Sequence, residues 1–573
     1  MKKLLRFMKA YRKESILAPL FKLLEATFEL FVPLVMASII DEGIVNGDYG
    51  HIAKMGGILI LLAIIGLSMA LTAQYFAAKA AVGFSTKLKH ELFGHIQKLS
   101  FGDMDRIGTS TMITRMTSDV NQVQNGVNLV LRLFLRSPFI VFGAMVMAFT
   151  IDLKAALVFV VAIPLLSLVV FGVMLASIPL YKKVQGALDK ILGRTRENLT
   201  GARVQRAFHK EEEEREKFME ENDSLNHVQM VVGRISALMN PITFVIINGA
   251  IIALIWIGAI HVNVGTLTQG EVVALVNYMS QILVELVKLA NLIVSVNKAV
   301  ACGNRIQELF ETEPGLLPAS DAVSAWECLT PVVFDHVSLT YPGAGEESLT
   351  DVSFCAKKGE MIGVIGGTGS GKTSLVHLIP RFYDITKGTL TLGGIPAEKL
   401  DLQQLRERVG MVLQKSVLFQ GTIRSNLCWG KEDATEEEMW EALRIAQAEE
   451  IVKNKQKGLD EPVEQEGRNF SGGQRQRLAI ARALVGKPEI LILDDSASAL
   501  DYATDANLRK AIKESLDTTV FVVSQRAASV RNADKIIVLD DGCVVGTGTH
   551  KELIENCPVY QEIYESQYGK GAR

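Results

Sequence analysis

The chain has 573 residues, a length that allows three or four domains. Hydrophobic residues make up 49% of it and the mean hydropathy is +0.23, values that exclude a purely soluble enzyme of this size. The net charge of −3 gives no indication of a polyanionic partner. The six cysteines all lie beyond the last long apolar stretch, without metal-ligand or paired-disulfide spacing, which predicts reduced cytosolic thiols.

The first 300 residues contain six apolar stretches, each long enough to cross a bilayer of about 30 Å as a helix of roughly 20 residues. We predict membrane spans near 16–40, 55–78, 128–150, 155–178, 241–262 and 272–295. Only four residues separate the third span from the fourth, which predicts a tight hairpin. The basic segment before the first span is followed by no small-residue cleavage site, so we expect it to be retained.

Two long polar insertions, 79–127 and 179–240, fall on the same side of the six spans as both termini. That side is rich in Lys and Arg, whereas the opposite loops, 41–51 and 261–271, contain neither. The positive-inside rule therefore predicts that both termini face the cytoplasm.

Residues 311–330 are rich in Pro, Gly, Ser and Ala, and we predict that they form a linker. Beyond them, short apolar segments alternate with helical patterns, which indicates a parallel α/β core. The sequence therefore predicts a helical domain at 1–310 and an α/β domain at 331–573. Strands of the α/β domain are predicted at 334–341, 361–365, 490–493, 519–524 and 535–539.

A glycine-rich loop follows the second of these strands. The sequence GGTGSGKT at 366–373 fits the pattern G-x-x-x-x-G-K-[ST], in which backbone N–H groups turn onto phosphate oxygens. Lys372 adds a cation, and the hydroxyl of Thr373 can ligate Mg²⁺. The predicted phosphate-binding residues are Gly366, Gly367, Thr368, Gly369, Ser370, Gly371, Lys372, Thr373 and Ser374.

A second motif, FSGGQRQR at 470–477, resembles the signature motif of ATP-binding-cassette (ABC) proteins. A helix that opens in this way presents free N–H groups and its dipole to an anion. In the family this anion is the γ-phosphate of ATP held on the opposite cassette, so that two cassettes enclose two ATP molecules. The resemblance is carried by Ser471, Gly472, Gly473 and Gln474.

The resemblance to ABC proteins assigns further residues to a site for ATP and Mg²⁺. Tyr341 matches the aromatic residue that stacks on adenine, although an ordinary strand aromatic would look the same. Gln414 matches the loop glutamine that contacts Mg²⁺, and Asp494 is placed to hold Mg²⁺ through water. Residues 498–501 match the loop that couples paired sites.

Two substitutions depart from the family pattern. The residue after Asp494 should be the catalytic glutamate but is Asp495, and the switch histidine is replaced by Gln525. Asp495 keeps a carboxylate but withdraws it by one methylene, and a misplacement of about 1 Å can cost roughly 100-fold in rate. Gln525 can hydrogen-bond a phosphate but cannot carry charge. We predict a degenerate, slowly hydrolysing site, although Asp495 can still serve as general base through a relaxed backbone or an extra water.

From end to end the chain resembles one half of a heterodimeric bacterial ABC multidrug exporter. Residues 108–120 and 196–208 resemble its cytoplasmic coupling loops. The resemblance implies an α-helical six-span transmembrane domain fused to an α/β P-loop cassette, in the bacterial inner membrane with the cassette in the cytoplasm. It also implies ATP and Mg²⁺ as cofactors, small amphiphilic substrates, no nucleic acid, and a homologous half-transporter subunit with the catalytic Glu as partner.

Three ionisable residues, Lys22, Glu25 and Glu29, lie on one face of the first predicted span. Such groups are costly in a membrane and normally face a cavity or a partner. They line the substrate pathway in one interpretation; in the other, Lys22 and Glu25 form a structural pair while Glu29 is hydrogen-bonded to a neighbouring helix. Glu285 and Lys288 form a similar pair, which we interpret as structural.

Other functions fit the sequence less well. A chromosome-maintenance or repair ATPase also uses a signature-type motif, but the six apolar spans argue against it. A nucleotide-gated channel or regulator would be expected to carry a long charged insertion. A lipid or peptide exporter of the same architecture, or a homodimeric exporter with two slow sites, stays open as an alternative.

Overall fold

The computed structural model describes residues 2–315, 330–496 and 499–569. Most of the predicted linker lies outside these residues. So does Ser498, the first residue of the segment 498–501 that is predicted to couple paired ATP sites. The chain divides into two compact units. The first consists of residues 1–97 and 110–312, and the second of residues 98–109 and 313–573.

The first unit is built from long helices. Among the described residues, six helical segments are long and apolar enough to cross a membrane, namely Lys3–Ile44, Tyr49–Ile96, Thr109–Ile151, Leu153–Thr200, Glu211–Val264 and Gln269–Glu311. Each contains one of the six predicted spans, so that prediction is confirmed. In chain order the first ten helices are α1 (Arg12–Ser38), α2 (Tyr49–Ile96), α3 (Phe101–Ile107), α4 (Thr109–Thr114), α5 (Val120–Leu133), α6 (Arg136–Ile151), α7 (Leu153–Thr200), α8 (Ala202–Ala207), α9 (Glu211–Val264) and α10 (Gln269–Glu311).

Polar side chains fix the turns between these helices. Asp152 accepts a hydrogen bond from the N–H of Ala155 at 2.7 Å and thereby starts α7 immediately after α6, as the predicted hairpin requires. At the start of α10, Asp41 accepts hydrogen bonds from the N–H of Gly270 at 2.8 Å and from the hydroxyl of Thr268 at 2.6 Å. The end of the first span is thereby tied to the beginning of the sixth.

Small residues let the helices of the first unit approach closely. A Cβ built on Gly126 of α5 would lie 2.3 Å from the Cβ of Ala299 on α10. A Cβ on Gly143 of α6 would lie 2.5 Å from the side chain of Leu30 on α1. Close packing of this kind is the principal source of helix association in a membrane, where burial of apolar surface contributes little.

The second unit has two main sheets. In chain order the strands are β1 (Val332–Leu339), β2 (Leu349–Ala356), β3 (Met361–Gly366), β4 (Lys387–Leu392), β5 (Ile395–Pro396), β6 (Val409–Val412), β7 (Gly421–Thr422), β8 (Pro462–Val463), β9 (Ile490–Asp494), β10 (Thr519–Val523), β11 (Lys535–Asp540) and β12 (Cys543–Gly548). A six-stranded sheet of order β12-β11-β3-β10-β9-β6 is parallel except for β12. A four-stranded antiparallel sheet has the order β2-β1-β4-β5.

The predicted parallel core is confirmed, with one difference. The strand predicted at 334–341 is β1, which pairs antiparallel with β2 and β4 rather than with the parallel strands. The helices beyond residue 330 alternate with these strands or follow the last of them, and are α11 (Lys372–Leu378), α12 (Leu402–Arg408), α13 (Ile423–Leu427), α14 (Glu436–Ile445), α15 (Glu449–Lys453), α16 (Gly472–Val485), α17 (Tyr502–Ser515), α18 (Ala527–Val530), α19 (His550–Asn556) and α20 (Pro558–Tyr568).

One short helix from the N-terminal half belongs to the second unit. In α3, Phe101 stacks on Phe382 with ring centroids 4.3 Å apart, and Asp105 accepts a hydrogen bond from the hydroxyl of Tyr383 at 2.7 Å. The segment that packs on the α/β domain is therefore 98–109. It overlaps the predicted first coupling loop, 108–120, at only two positions.

Candidate functional site

The glycine-rich loop joins β3 to α11 in a conformation that requires glycine. Gly369 and Gly371 have φ values of +85° and +91°, which L residues rarely adopt. A Cβ on Gly371 would also lie 2.8 Å from the side chain of Leu349 and 2.8 Å from the carbonyl oxygen of Ser348. The loop is thus held against β2 by its own backbone.

Lys372 lies inside this loop and is only 9% exposed. Its Nζ donates hydrogen bonds to the carbonyl oxygens of Gly366 at 2.9 Å and Gly367 at 2.5 Å. Burial lowers the pKa of Lys372, and the nearby carboxylates of Asp495 and Asp494 oppose that effect. The ammonium group is therefore held within the loop, where it can meet a phosphate.

Two consecutive carboxylates lie opposite the loop. Asp494, the last residue of β9, is 1% exposed, and this burial raises its pKa to about 6. Its Oδ1 accepts a hydrogen bond from the hydroxyl of Thr373 at 3.1 Å. Burial also raises the pKa of Asp495, whose Oδ2 accepts a hydrogen bond from Nε2 of Gln414 at 3.4 Å. A hydroxyl, an amide and two carboxylates therefore converge at one place.

These groups line a cleft of about 800 Å³. The cleft includes the phosphate-loop residues predicted from Thr368 onward, and both substituted positions, Asp495 and Gln525, face it. Its lining also includes two segments without a recognisable motif, 344–348 before β2 and 541–542 between β11 and β12, which the sequence reasoning missed. The complete lining is Ala344, Gly345, Glu346, Glu347, Ser348, Thr368, Gly369, Ser370, Gly371, Lys372, Thr373, Ser374, Gln414, Asp494, Asp495, Val523, Ser524, Gln525, Asp541 and Gly542.

Tyr341 lies beside the phosphate loop rather than in the cleft lining of the described residues. Its hydroxyl donates to Oγ of Ser374 at 2.9 Å, and its ring meets the edge of Tyr383 at a centroid distance of 4.8 Å. The stacking of Tyr341 on adenine stays a prediction.

The signature segment lies at the start of α16, apart from the cleft lining of the described residues. Ser471 caps this helix, and its side chain and that of Gln474 exchange hydrogen bonds with each other's backbone N–H. Ser471 and Gly472 are exposed. This surface is accessible to a second protein chain, whereas the chain's own cleft is formed without it.

Comparisons with known proteins agree with this arrangement. The family profile described as "ABC transporter transmembrane region" matches residues 15–286, and the one described as "ABC transporter" matches residues 349–498. YfiB of Bacillus subtilis (strain 168), named as an ABC transporter ATP-binding protein, is 35% identical over 575 residues, which cover 100% of this chain and 99% of YfiB. The chain belongs to the ABC transporter family. It is a multi-pass membrane protein whose cassette binds ATP and couples ATP hydrolysis to transport.

Two further comparisons concern a named relative of this transporter and a solved structure with a similar fold. YgaD of Bacillus subtilis (strain 168), whose name proposes a multidrug export ATP-binding/permease protein, is 31% identical over 99% of this chain and 98% of YgaD. The structure of a bacterial Atm1-family ABC exporter with ATP bound superposes with a TM-score of 0.81 at 21% identity, covering 98% of this chain and 99% of that one. The transporter therefore has the exporter fold, with one membrane domain and one cassette on the chain.

The membrane unit of the transporter holds a charge network centred on Arg136, which the sequence reasoning missed. Arg136 is 7% exposed and donates to Glu285 of α10 at 2.6 Å and to Glu29 of α1 at 2.7 Å. Its Nε lies 3.9 Å from Glu25, which in turn accepts hydrogen bonds from Lys22 at 2.5 and 2.8 Å. All three residues predicted on the first span are thus linked, directly or through one another, to a guanidinium on α6.

Glu285 is the most buried acid of this network, at 3% exposure. One carboxylate oxygen accepts hydrogen bonds from Arg136 at 2.6 Å and from Lys288 at 2.8 Å, and the other accepts from the hydroxyl of Ser137 at 2.7 Å. The paired interpretation of Glu285 and Lys288 fits this geometry. Glu29 differs from Glu285, because its side chain is about 40% exposed.

Proposed function

We propose that the transporter is one subunit of a heterodimeric exporter that moves amphiphilic, drug-like compounds out of the cytoplasm by alternating access. The observation that carries the proposal is the composition of the cleft. Asp495 and Gln525, the two positions that depart from the family pattern, lie in the same cleft as an intact phosphate loop. The intact signature lies elsewhere on the surface, where it can complete a site on another chain.

In this proposal the cleft binds ATP but hydrolyses it slowly. The backbone of the glycine-rich loop and Lys372 hold the phosphates. Thr373, Gln414 and Asp494 fit Mg²⁺, because their hydroxyl, amide and carboxylate oxygens are the ligands that a hard cation prefers. The cation would neutralise phosphate charge when bound. Asp495 orients the attacking water from a carboxylate that is one methylene short, and Gln525 contacts the terminal phosphate without supplying a charge.

The partner subunit supplies what this chain lacks. We propose a homologous half-transporter with Glu and His at the positions of Asp495 and Gln525. Ser471, Gly472, Gly473 and Gln474 of this chain then face the partner's ATP, and the exposure of Ser471 and Gly472 supports that role. Turnover occurs at the partner's site, while ATP at Lys372 persists through many cycles.

The membrane placement follows from the distribution of charge. We propose that the chain lies in the bacterial inner membrane with both termini and the cassette in the cytoplasm, since the opposite loops 41–51 and 261–271 contain no Lys or Arg. The name of YgaD supports multidrug export as the function of this relative. Glu29, half-exposed at the edge of the charge network, is the group of that network best placed to meet a cationic substrate.

The assembly is tested by ATP hydrolysis of the purified chain in nanodiscs, alone and together with the half-transporter that co-purifies with it from native membranes. We expect little activity from the chain alone, because one cassette cannot complete either site. Activity should appear with the co-purified subunit. Robust, cooperative turnover by the chain alone would contradict the heterodimer.

One observation favours a second arrangement, a homodimer with two slow sites. Asp495 retains a carboxylate in the cleft and is hydrogen-bonded to Gln414, so that it can still act as a general base. The same experiment separates the two arrangements, because a homodimer would show its full, slow activity without any second subunit.

A further inference from the structure

A single side chain makes two hydrogen bonds to the backbone at Gln525 and Ala527. The amide of Gln567 on α20 donates through Nε2 to the carbonyl oxygen of Gln525 at 2.7 Å. The same amide accepts through Oε1 from the backbone N–H of Ala527 at 2.8 Å. Both distances are those of well-formed hydrogen bonds. Gln567 therefore bridges the backbone on either side of Arg526, directly after the position that replaces the switch histidine.

The helix that carries Gln567 is fixed to the core of the cassette. Tyr560 is fully buried and Tyr564 is 4% exposed, and both belong to the hydrophobic cluster that includes Ile365 of β3. The hydroxyl of Tyr560 lies 2.8 Å from Nδ1 of His550. Tyr560, Tyr564 and Gln567 are spaced at i, i+4 and i+7, so they lie on one face of α20. Burial of the two tyrosines thus sets the position of the amide.

The other end of this contact reaches the ATP cleft. Gln525 follows β10 and precedes α18, so it lies in a short link between two fixed elements. Ser524 and Gln525 both line the cleft together with Lys372. The N–H of Ala527 is a helix-start donor, which no carbonyl within α18 can satisfy. Gln567 supplies that acceptor and at the same time fixes the carbonyl of Gln525.

We infer that Gln567 is a positioning residue for the nucleotide site, which holds the link so that Gln525 meets the terminal phosphate of ATP. The inference rests on the proposed function in that it takes Gln525 to face that phosphate. ATP and ADP differ only in the terminal phosphate. Loss of the Gln567 bridge should therefore weaken the binding of ATP and leave the binding of ADP unchanged.

The test is the affinity of the full-length protein for Mg-ATP and for Mg-ADP, measured by competition with a fluorescent nucleotide. Gln567→Leu removes both hydrogen bonds, and we expect it to reduce the preference for ATP over ADP by about tenfold. Hydrogen exchange at the amide of Ala527 should become faster. Gln567→Glu keeps the acceptor for Ala527 but loses the donor to Gln525, so the ATP preference should fall while exchange at Ala527 stays slow.

Gln561 provides a matched control on the same helix. Its Nε2 donates to the carbonyl oxygen of Ile554 in α19, not to the link. Gln561→Leu should therefore keep the wild-type ATP preference, whatever it does to the melting temperature. An ATP preference that survives in both Gln567 variants, or that is lost equally in Gln561→Leu, would overturn the inference. A wild-type protein that binds neither nucleotide would instead contradict the proposed function.

Discussion

Asp495 combines a left-handed backbone with a short carboxylate. Its φ is +45°, a conformation that Asp and Asn adopt more readily than longer side chains. Its N–H donates to the carbonyl oxygen of Val523 at 3.0 Å, which fixes the start of the side chain against β10. The reach of the carboxylate into the cleft is therefore limited by its own length, since the backbone that carries it is held in place.

Asp495→Glu should partly restore hydrolysis at this site. The added methylene advances the carboxylate toward the phosphates, while the left-handed backbone should cost some stability. The change is best measured in a Ser471→Arg background, in which the partner's site is blocked and only the cleft of this chain can turn over. We expect the ATPase rate to rise by about tenfold. Asp495→Asn in the same background is the control for the carboxylate itself, and a rate for Asp495→Glu no higher than that of the protein with Asp495 would show that side-chain length does not limit the site.

Among the elements of the membrane unit, α1, α6 and α10 are joined by the network around Arg136. An arginine that neutralises Glu285 and Glu29 at once is difficult to replace, because its removal leaves Glu285 buried with less compensation. The network thus ties three helices together by charge in a region where apolar burial contributes little to their association. Its two acids differ in exposure, since the side chain of Glu285 is buried and that of Glu29 is half-exposed.

Arg136→Met should destabilise the membrane unit by about 3 kcal/mol, the lower end of the range for breaking a buried ion pair, because Lys288 and Ser137 still contact Glu285. The melting temperature in detergent should fall, and Glu285→Gln in the same protein should recover much of the loss.

Glu29→Gln is the matched comparison. It should melt close to wild type and reduce efflux of a cationic dye more than that of a neutral dye. A lower melting temperature with equal loss for both dyes would assign Glu29 a purely structural role.

Local patterns predicted most of the elements, and long-range contacts account for what they missed. Apolar stretches and alternating strands depend on neighbouring residues, so the six spans and the parallel strands were predictable. Arg136 was missed because its partners Glu29 and Glu285 lie 107 and 149 positions away. The segments 344–348 and 541–542 were missed because contacts between distant parts of the chain bring them together. The N–H of Thr350 in β2 donates to the carbonyl oxygen of Gly542 at 2.9 Å, and a Cβ on Gly542 would lie 3.0 Å from the carbonyl oxygen of Ser348.

At the scale of the whole molecule, the chain carries one membrane domain and one cassette, and in the proposed assembly a second cassette completes its ATP site. Its cleft carries a phosphate loop with two departures from the family pattern, and its signature segment lies at the surface. If the two ATP sites of the assembled transporter differ, a substitution in the cleft and a substitution in the signature segment should change the ATPase rate by different amounts. Hydrolysis in the cleft should be dispensable for turnover, and the signature should be essential.

The most direct test is steady-state ATP hydrolysis by the transporter isolated from native membranes through a tag on this chain, with its partner retained. Ser471→Arg blocks the signature and should reduce hydrolysis by more than about tenfold, whereas Asp495→Asn should change it by less than about twofold. The opposite result, in which Asp495→Asn abolishes hydrolysis and Ser471→Arg leaves it intact, would show that the cleft of this chain is the active site.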